Sequence, residues 1–133
     1  SGDRQVTKHA EAAAAGFLPG YHAFSSGAVT IEVLDQGDGA PVFLLPSLGR
    51  GATDFDVLAK LLVDRGHRVL RPQPRGVGAS RGPLTGLTML DLAGDVALAI
   101  EGLGLGPTVV AGHAFGNFVA RMLATSHPRL VRG

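Results

Sequence analysis

The segment Val109-Val110-Ala111-Gly112-His113-Ala114-Phe115-Gly116-Asn117-Phe118 decides how the rest of the chain is read. Thr108 to Ala111 is a short apolar run of the kind that forms a strand buried in a parallel sheet. Directly after it, Phe115, Phe118, Val119, Met122 and Leu123 recur at the spacing of one helix face. Only Gly112-x-x-x-Gly116 separates the two patterns. The chain is therefore expected to turn from strand to helix within a few residues, with Ala114 at the centre of the turn.

Working outward, the same alternation repeats. Val42-Phe43-Leu44-Leu45 is an apolar run stopped by Pro46, which suits a strand covered on both faces. From Thr53 the period becomes helical, with Phe55, Leu58, Ala59 and Leu62 on one stripe and Thr53 and Asp56 as a capping pair. Gly66 closes that helix, and His67 to Arg71 reads as the next strand, ending in the Pro72/Pro74 loop. A second helix carries Met89, Leu92, Ala93, Val96 and Ile100, opened by Thr88 with Asp91 three residues on. Nearer the start, Ala28 to Leu34 alternates as a strand does, and Gln36-Gly37-Asp38-Gly39 turns the chain back. Asp3 to Ala15 reads as an alanine-rich helix between the cap Asp3 and Gly16, followed by a turn over Phe17 to Gly20. Strand and helix in alternation predict an α/β fold in three αβα layers with a mostly parallel sheet.

Composition narrows the function. Charged residues make up 17% of the 133 and hydrophobic ones 45%, so a packed core is expected rather than disorder. The net charge is +1 and the arginines are scattered singly, which gives no basic face for nucleic acid. Cysteine is absent, so disulfides, thiolate catalysis and zinc–sulfur sites are excluded. No run approaches the roughly 18 apolar residues of a membrane span. The sequence starts at Ser1 without Met, as after removal of a tag, a signal peptide or a longer precursor. A cytoplasmic and a secreted or periplasmic location both fit that start. Gly102-Leu103-Gly104-Leu105-Gly106 has the look of a dinucleotide loop, but it follows a helix and precedes a strand, the reverse of what that motif needs. It reads as a helix stop. Gly49-Arg50-Gly51 follows a strand, yet no GK[ST] accompanies it.

Four ordered segments carry a family resemblance. Gly112-His113-Ala114-Phe115-Gly116 resembles the nucleophile elbow of the α/β-hydrolase family, whose pattern is G-x-S-x-G. VFLLPSLGRG, residues 42–51, stands where that family has an apolar strand and an oxyanion loop. RPQPRGVGAS, residues 71–80, is similar to its R-P-D-x-R-G-x-G-x-S loop, and His127-Pro128-Arg129-Leu130-Val131 to the stretch after the elbow helix. The resemblance implies a strained backbone at position 114, with the side chain lifted above the sheet edge at a helix N-terminus. It implies an oxyanion hole from the N–H groups of Phe115 and Leu48, with Pro46 and Gly49 shaping the loop that presents Leu48. Neither cofactor nor metal is implied. The activity expected is hydrolysis of an ester- or amide-type bond in a small-molecule substrate, with residues 1–20 a helical extension and 21–133 the N-terminal half of one domain.

The departures from that pattern are specific. Ala114 has no nucleophilic atom, Pro46-Ser47 replaces the usual His-Gly, and Gln73-Pro74 stands where Asp is usual. The family order is nucleophile, acid, histidine, so acid and base are expected on a second polypeptide carrying the C-terminal half. Without that half, the strand Thr108 to Ala111 is expected to present an unpaired apolar edge, and the face of the third helix to lose part of its sheet. Alanine at position 114 fits a hydrolase with its serine replaced and equally a natural relative that binds or catalyses something else. An interaction module that works as a half is a third reading. Ser47 has no visible base. His113 is expected to support the turn, and His9, His22, His67 and His127 to be structural or solvated. Asp91 and Asp95, one helical turn apart, read as a solvated face or a cap.

Overall fold

The structure, a computed structural model, describes residues 20–47 and 50–133. The expected helix Asp3–Ala15 and the residues Leu48 and Gly49 lie outside them. Five strands form one sheet: β1 (Gly20–Ser26), β2 (Val29–Gln36), β3 (Ala40–Leu45), β4 (His67–Pro72) and β5 (Val109–Gly112), in the order β1-β2-β4-β3-β5. The β4–β3–β5 half is parallel, and the β1–β2 and β2–β4 pairs are antiparallel, so the sheet is mixed. The helices are α1 (Asp56–Asp64), α2 (Met89–Gly102) and α3 (Phe115–Ser126), and a short 3-10 turn over Ala52–Phe55 leads into α1.

Strand alternation divides the core into two layers. Phe43 and Leu45 of β3 point to one side, where Ala93, Val96 and Ile100 of α2 and Val119 and Leu123 of α3 cover them. Leu44 points to the other side and meets Val69 and Ala59 beneath α1. Burial on both faces explains the unbroken apolar run of β3. At the head of α2, Thr88 and Asp91 form a complete capping box.

Several expectations are corrected. The segment with His22, for which no strand was expected, is β1, paired with β2 through seven residues from Gly20↔Asp35 to Ser26↔Val29. Thr53 and Asp56 do not cap each other, because the carboxylate of Asp56 binds Arg71 instead. Leu58 and Phe118 are exposed: α1 is seated through Ala59, Leu62 and Val63 with Phe55 of the preceding turn, and α3 through Gly116, Val119 and Leu123. Thr108, just before β5, is buried, but Val109 at the start of that strand is 39% exposed. The far edge of that strand is not bare. Thr108 pairs in parallel with Val131, the Thr108 N–H donates to Leu130 O at 2.9 Å, and the Val110 N–H donates to Gly133 O at 2.9 Å.

Candidate functional site

The turn between β5 and α3 is as tight as its sequence implies. Ala114 sits at φ 51°, ψ −117°, the one non-glycine residue with positive φ among the described residues. That region is sparsely populated for any residue with a Cβ and costs on the order of 1–3 kcal/mol unless the surroundings enforce it. Here they do. The Gly116 N–H donates to His113 O at 2.9 Å, the Asn117 N–H to Ala114 O at 3.0 Å, and the His113 N–H to Leu45 O at 3.1 Å. A Cβ on Gly112 would collide with the backbone of Gly116 and Asn117, and one on Gly116 with the carbonyls of Leu45 and Pro46. Both glycines are therefore required by close approach. The methyl of Ala114 is left exposed at the first turn of α3. Gly116 and Asn117 use their amides to close the turn, whereas the Phe115 N–H takes no part in those bonds. An uncommitted N–H at a helix N-terminus favours a partial negative charge placed before it.

Facing this turn is the end of β3 with the loop that follows it. The Arg50 N–H donates back to Ser47 O at 3.0 Å, and Leu48, the other expected oxyanion donor, lies outside the described residues. Beyond the loop, Ala52 is gripped from β4. Gln73 Oε1 accepts the Ala52 N–H at 2.8 Å, and Arg71 Nη1 donates to Ala52 O at 3.1 Å. The same Nη1 reaches Asp56 Oδ1 at 2.6 Å, and Nη2 reaches Gln36 Oε1 at 3.3 Å. Arg71 is 2% exposed, and a buried guanidinium is tolerated only with such partners. Sequence reasoning marked Gln73 as a departure and missed this bracing role, for which the local signal was a polar side chain held between Pro72 and Pro74.

Arg75 and Asp95 were missed as a pair. Arg75 Nε and Nη2 meet the two carboxylate oxygens of Asp95 at 2.7 and 3.0 Å, and Nη1 donates to Pro83 O at 2.8 Å. The hydrogen bonds that Arg75 donates to Asp95 raise the guanidinium above its ordinary value. Asp95 is thus buried and bound, not part of a solvated face. Asp91 is the cap of α2, and its bonds with Thr88, backbone first and side chain second, hold its carboxyl below the usual range. Between the ends of β3 and β4 and the helices α2 and α3 lies a cavity of about 50 Å³ that touches Leu45, Ser47, Gln73, Asp95, Val96 and Phe115.

The structure places Phe115, next to Ala114, and Ser47 on one cavity and leaves the histidines apart. His113 contributes backbone bonds to the turn, as expected. His22 Nε2 lies 2.7 Å from Asp35 Oδ2, and His127 Nδ1 lies 2.9 Å from Ser126 Oγ at the end of α3. Asp35 also takes a two-pronged contact from Arg68, at 2.9 and 2.6 Å. Burial alone would raise the Asp35 carboxyl, but the hydrogen bonds from Arg68 and His22 outweigh it and the net shift is downward. Among the described residues no group of three or more His, Asp or Glu side chains could hold a metal ion.

Comparison with known proteins agrees with the α/β fold. A family profile described as alpha/beta hydrolase fold matches residues 40–133. RutD of Variovorax paradoxus (strain S110), provisionally named a carbamate hydrolase, is 33% identical over 101 residues, 75% of this chain and 38% of its own length. A non-heme chloroperoxidase of Streptomyces lividans is 37% identical over 92 residues, 68% of this chain and 33% of its own. The chain thus spans little more than a third of the length of such relatives. In fold, the epoxide hydrolase VrEH1 from Vigna radiata superposes with a TM-score of 0.79 at 23% identity, over 86% of this chain and 37% of that one.

Proposed function

We propose, from the premise that this chain belongs to the α/β-hydrolase fold family, that residues 21–133 are the N-terminal half of one hydrolase domain with position 114 in the place of the nucleophile. The observation that carries the reading is the backbone of Ala114, φ 51°, ψ −117°, at the head of α3 between two glycines that admit no Cβ. A turn of that kind offers a side chain to the space above the sheet while its neighbour's N–H faces the same space.

The reaction is acyl transfer from an ester- or amide-type bond to water. With a hydroxyl at position 114, its oxygen bonds to the acyl carbon and its proton passes to a histidine base. The carbonyl oxygen becomes an oxyanion that accepts hydrogen bonds from the N–H groups of Phe115 and Leu48. Collapse expels the alcohol or amine, which takes the proton, and water then releases the acyl group by the same steps in reverse. Histidine and acid are assigned to the C-terminal half of the domain, by the family order of nucleophile, acid, histidine. Its strands continue the pairing that residues 130–133 begin along β5. Ala114 itself supplies no bond-forming atom, so the chain as it stands binds substrate without being acylated.

A second reading, a natural relative that binds without hydrolysing, draws support from Gln73. Its side chain is bonded to Ala52, so the departure from the usual Asp is built into the loop's own scaffold, and the Pro46-Ser47 change adjoins it. Ala114→Ser decides between the readings. Removing a triad serine costs about 10⁶ in kcat, so restoring it in the assembled protein should raise turnover of an activated ester by several decades. A folded Ala114→Ser variant with no gain would leave the binding reading. Labelling of the unsubstituted protein by a serine-directed phosphonate would overturn both and point to Ser47.

A further inference from the structure

We infer that the outer face of α2 is a docking surface for this chain's own N-terminal segment, residues 1–19, which lies across it as a helix. An open cleft of about 360 Å³ runs along that face. Leu90, Gly94, Ala97 and Leu98 border it at i, i+4, i+7 and i+8, with Glu101 one turn further on. This stripe is turned away from Val96 and Ile100, which pack beneath α2. Val29 of β2 and His127, just past α3, stand on its margins. Leu90 is 55% exposed, and open space lies where a Cβ on Gly94 would stand. A helix normally shows charge to solvent on its outer face, so small and apolar residues there mark a surface to be covered.

The sequence before β1 has the matching pattern. Val6, Ala10, Ala13 and Ala14 recur at i, i+4, i+7 and i+8 in the helix expected over Asp3–Ala15, while Arg4, Lys8 and Glu11 fall off that stripe. A lone helix of this length is marginal in water, so it needs a face to pack on. Its length would be about 20 Å, close to that of α2, Met89–Gly102. The point of attachment also fits. β1 begins at Gly20, and four residues later the Phe24 ring lies against the last turn of α2, where it would meet a Cβ on Gly102. Residues 16–19 reach about 14 Å at full stretch, enough to run back over those four residues. They would bring the end of the helix to Glu101 and point its start toward Leu90. A short tether holds the segment at an effective concentration on the order of millimolar, which favours it over a second copy of the chain.

The test is paramagnetic broadening of amide NMR signals in the full chain, in the assembly in which it is isolated. The chain has no cysteine, so Leu90→Cys and Glu101→Cys each give a single site for a nitroxide, and both positions are exposed. A nitroxide at position 101 should broaden residues 12–15 most, and one at position 90 should broaden residues 3–6 most. The second result is decisive, because the tether by itself keeps residues 12–15 near Glu101. Ala10→Asp, which puts a carboxylate in the stripe, should abolish the broadening from position 90. Lys8→Asp, off the stripe but with the same loss of helix propensity or more, should leave it in place. If a label at position 90 obstructs the cleft, the reverse arrangement still reads the contact: a nitroxide at Gln5→Cys, also off the stripe, should broaden Met89 to Asp91. Absence of selective broadening in both arrangements, or broadening that survives Ala10→Asp, would overturn the docking. So would broadening in a mixture of nitroxide-bearing chains with separate isotope-labelled chains that carry none, which would assign the cleft to a second copy.

Discussion

Arg75 and Asp95 meet fork to fork, 2.7 and 3.0 Å apart, and so tie the loop after β4 to the middle of α2. The two side chains are 9% and 12% exposed. Asp95→Ala would leave the guanidinium without its carboxylate and with Pro83 O as its remaining partner. The expected loss is about 3–5 kcal/mol, the usual result of removing one partner of a buried pair. Replacing both residues by apolar ones of similar volume should cost much less. Urea unfolding of the two single variants and the double variant measures the coupling, and additive losses would show that the pair is not coupled.

Glycine placement gives a contrast. Gly112→Ala and Gly116→Ala must each push backbone away from backbone and should lose at least about 3 kcal/mol or fail to fold. Gly94→Ala, in the interior of α2 with open space where its Cβ would stand, should gain about 0.5–1 kcal/mol. Thermal melts of the three variants check the order.

At position 114 the strain itself can be weighed. Glycine accepts φ 51° freely, so Ala114→Gly should stabilise the fold by about 1 kcal/mol, whereas Ala114→Val should destabilise it by more than that. A neutral result in both directions, from equilibrium unfolding, would mean that the turn relaxes away from this geometry.

Asp35 sets an acid limit. Its carboxyl titrates below the ordinary value in the folded chain, so it stabilises fully at pH above that ordinary value. The contribution fades as pH falls from there through the folded-state value. Asp35→Asn should cost about 1–3 kcal/mol at neutral pH, and its deficit should shrink in the acid range where the native carboxyl is itself neutral. A deficit independent of pH would assign the loss to packing.

Much of this architecture was legible because local pattern and tertiary role coincide. The run Val42–Leu45, the capping box of Thr88 and Asp91, and the glycines of the β5–α3 turn each follow from one rule applied to adjacent residues. β1 was not legible. Tyr21-His22-Ala23-Phe24-Ser25-Ser26 is half-buried and lacks a clean alternation, and its strand state comes from pairing with β2. Leu58 and Phe118 sit on apolar stripes, but periodicity gives a stripe's direction and not the width of the sheet beneath it. At the site, the turn at Ala114 could be read from its glycines. The bracing by Arg71, Gln73, Arg75 and Asp95 could not, because each partner lies 15 or more residues away along the chain.

The two layers on either side of the sheet differ in how firmly they are attached. Among the described residues, twelve buried ones make the cluster under α2 and α3, while three make the one under α1. Arg71, reaching from β4 to Asp56 and Ala52, is the principal polar tether on that thinner side. The protein should therefore open in stages. Amide protons of α1 and of the 3-10 turn before it should exchange with solvent through partial opening, at free energies well below those of β3, β4 and α2. The turn at Ala114 hangs from the thicker layer and from Leu45, so it should stay closed while α1 breathes. Ala52 would then move on a shorter timescale than the turn at Ala114.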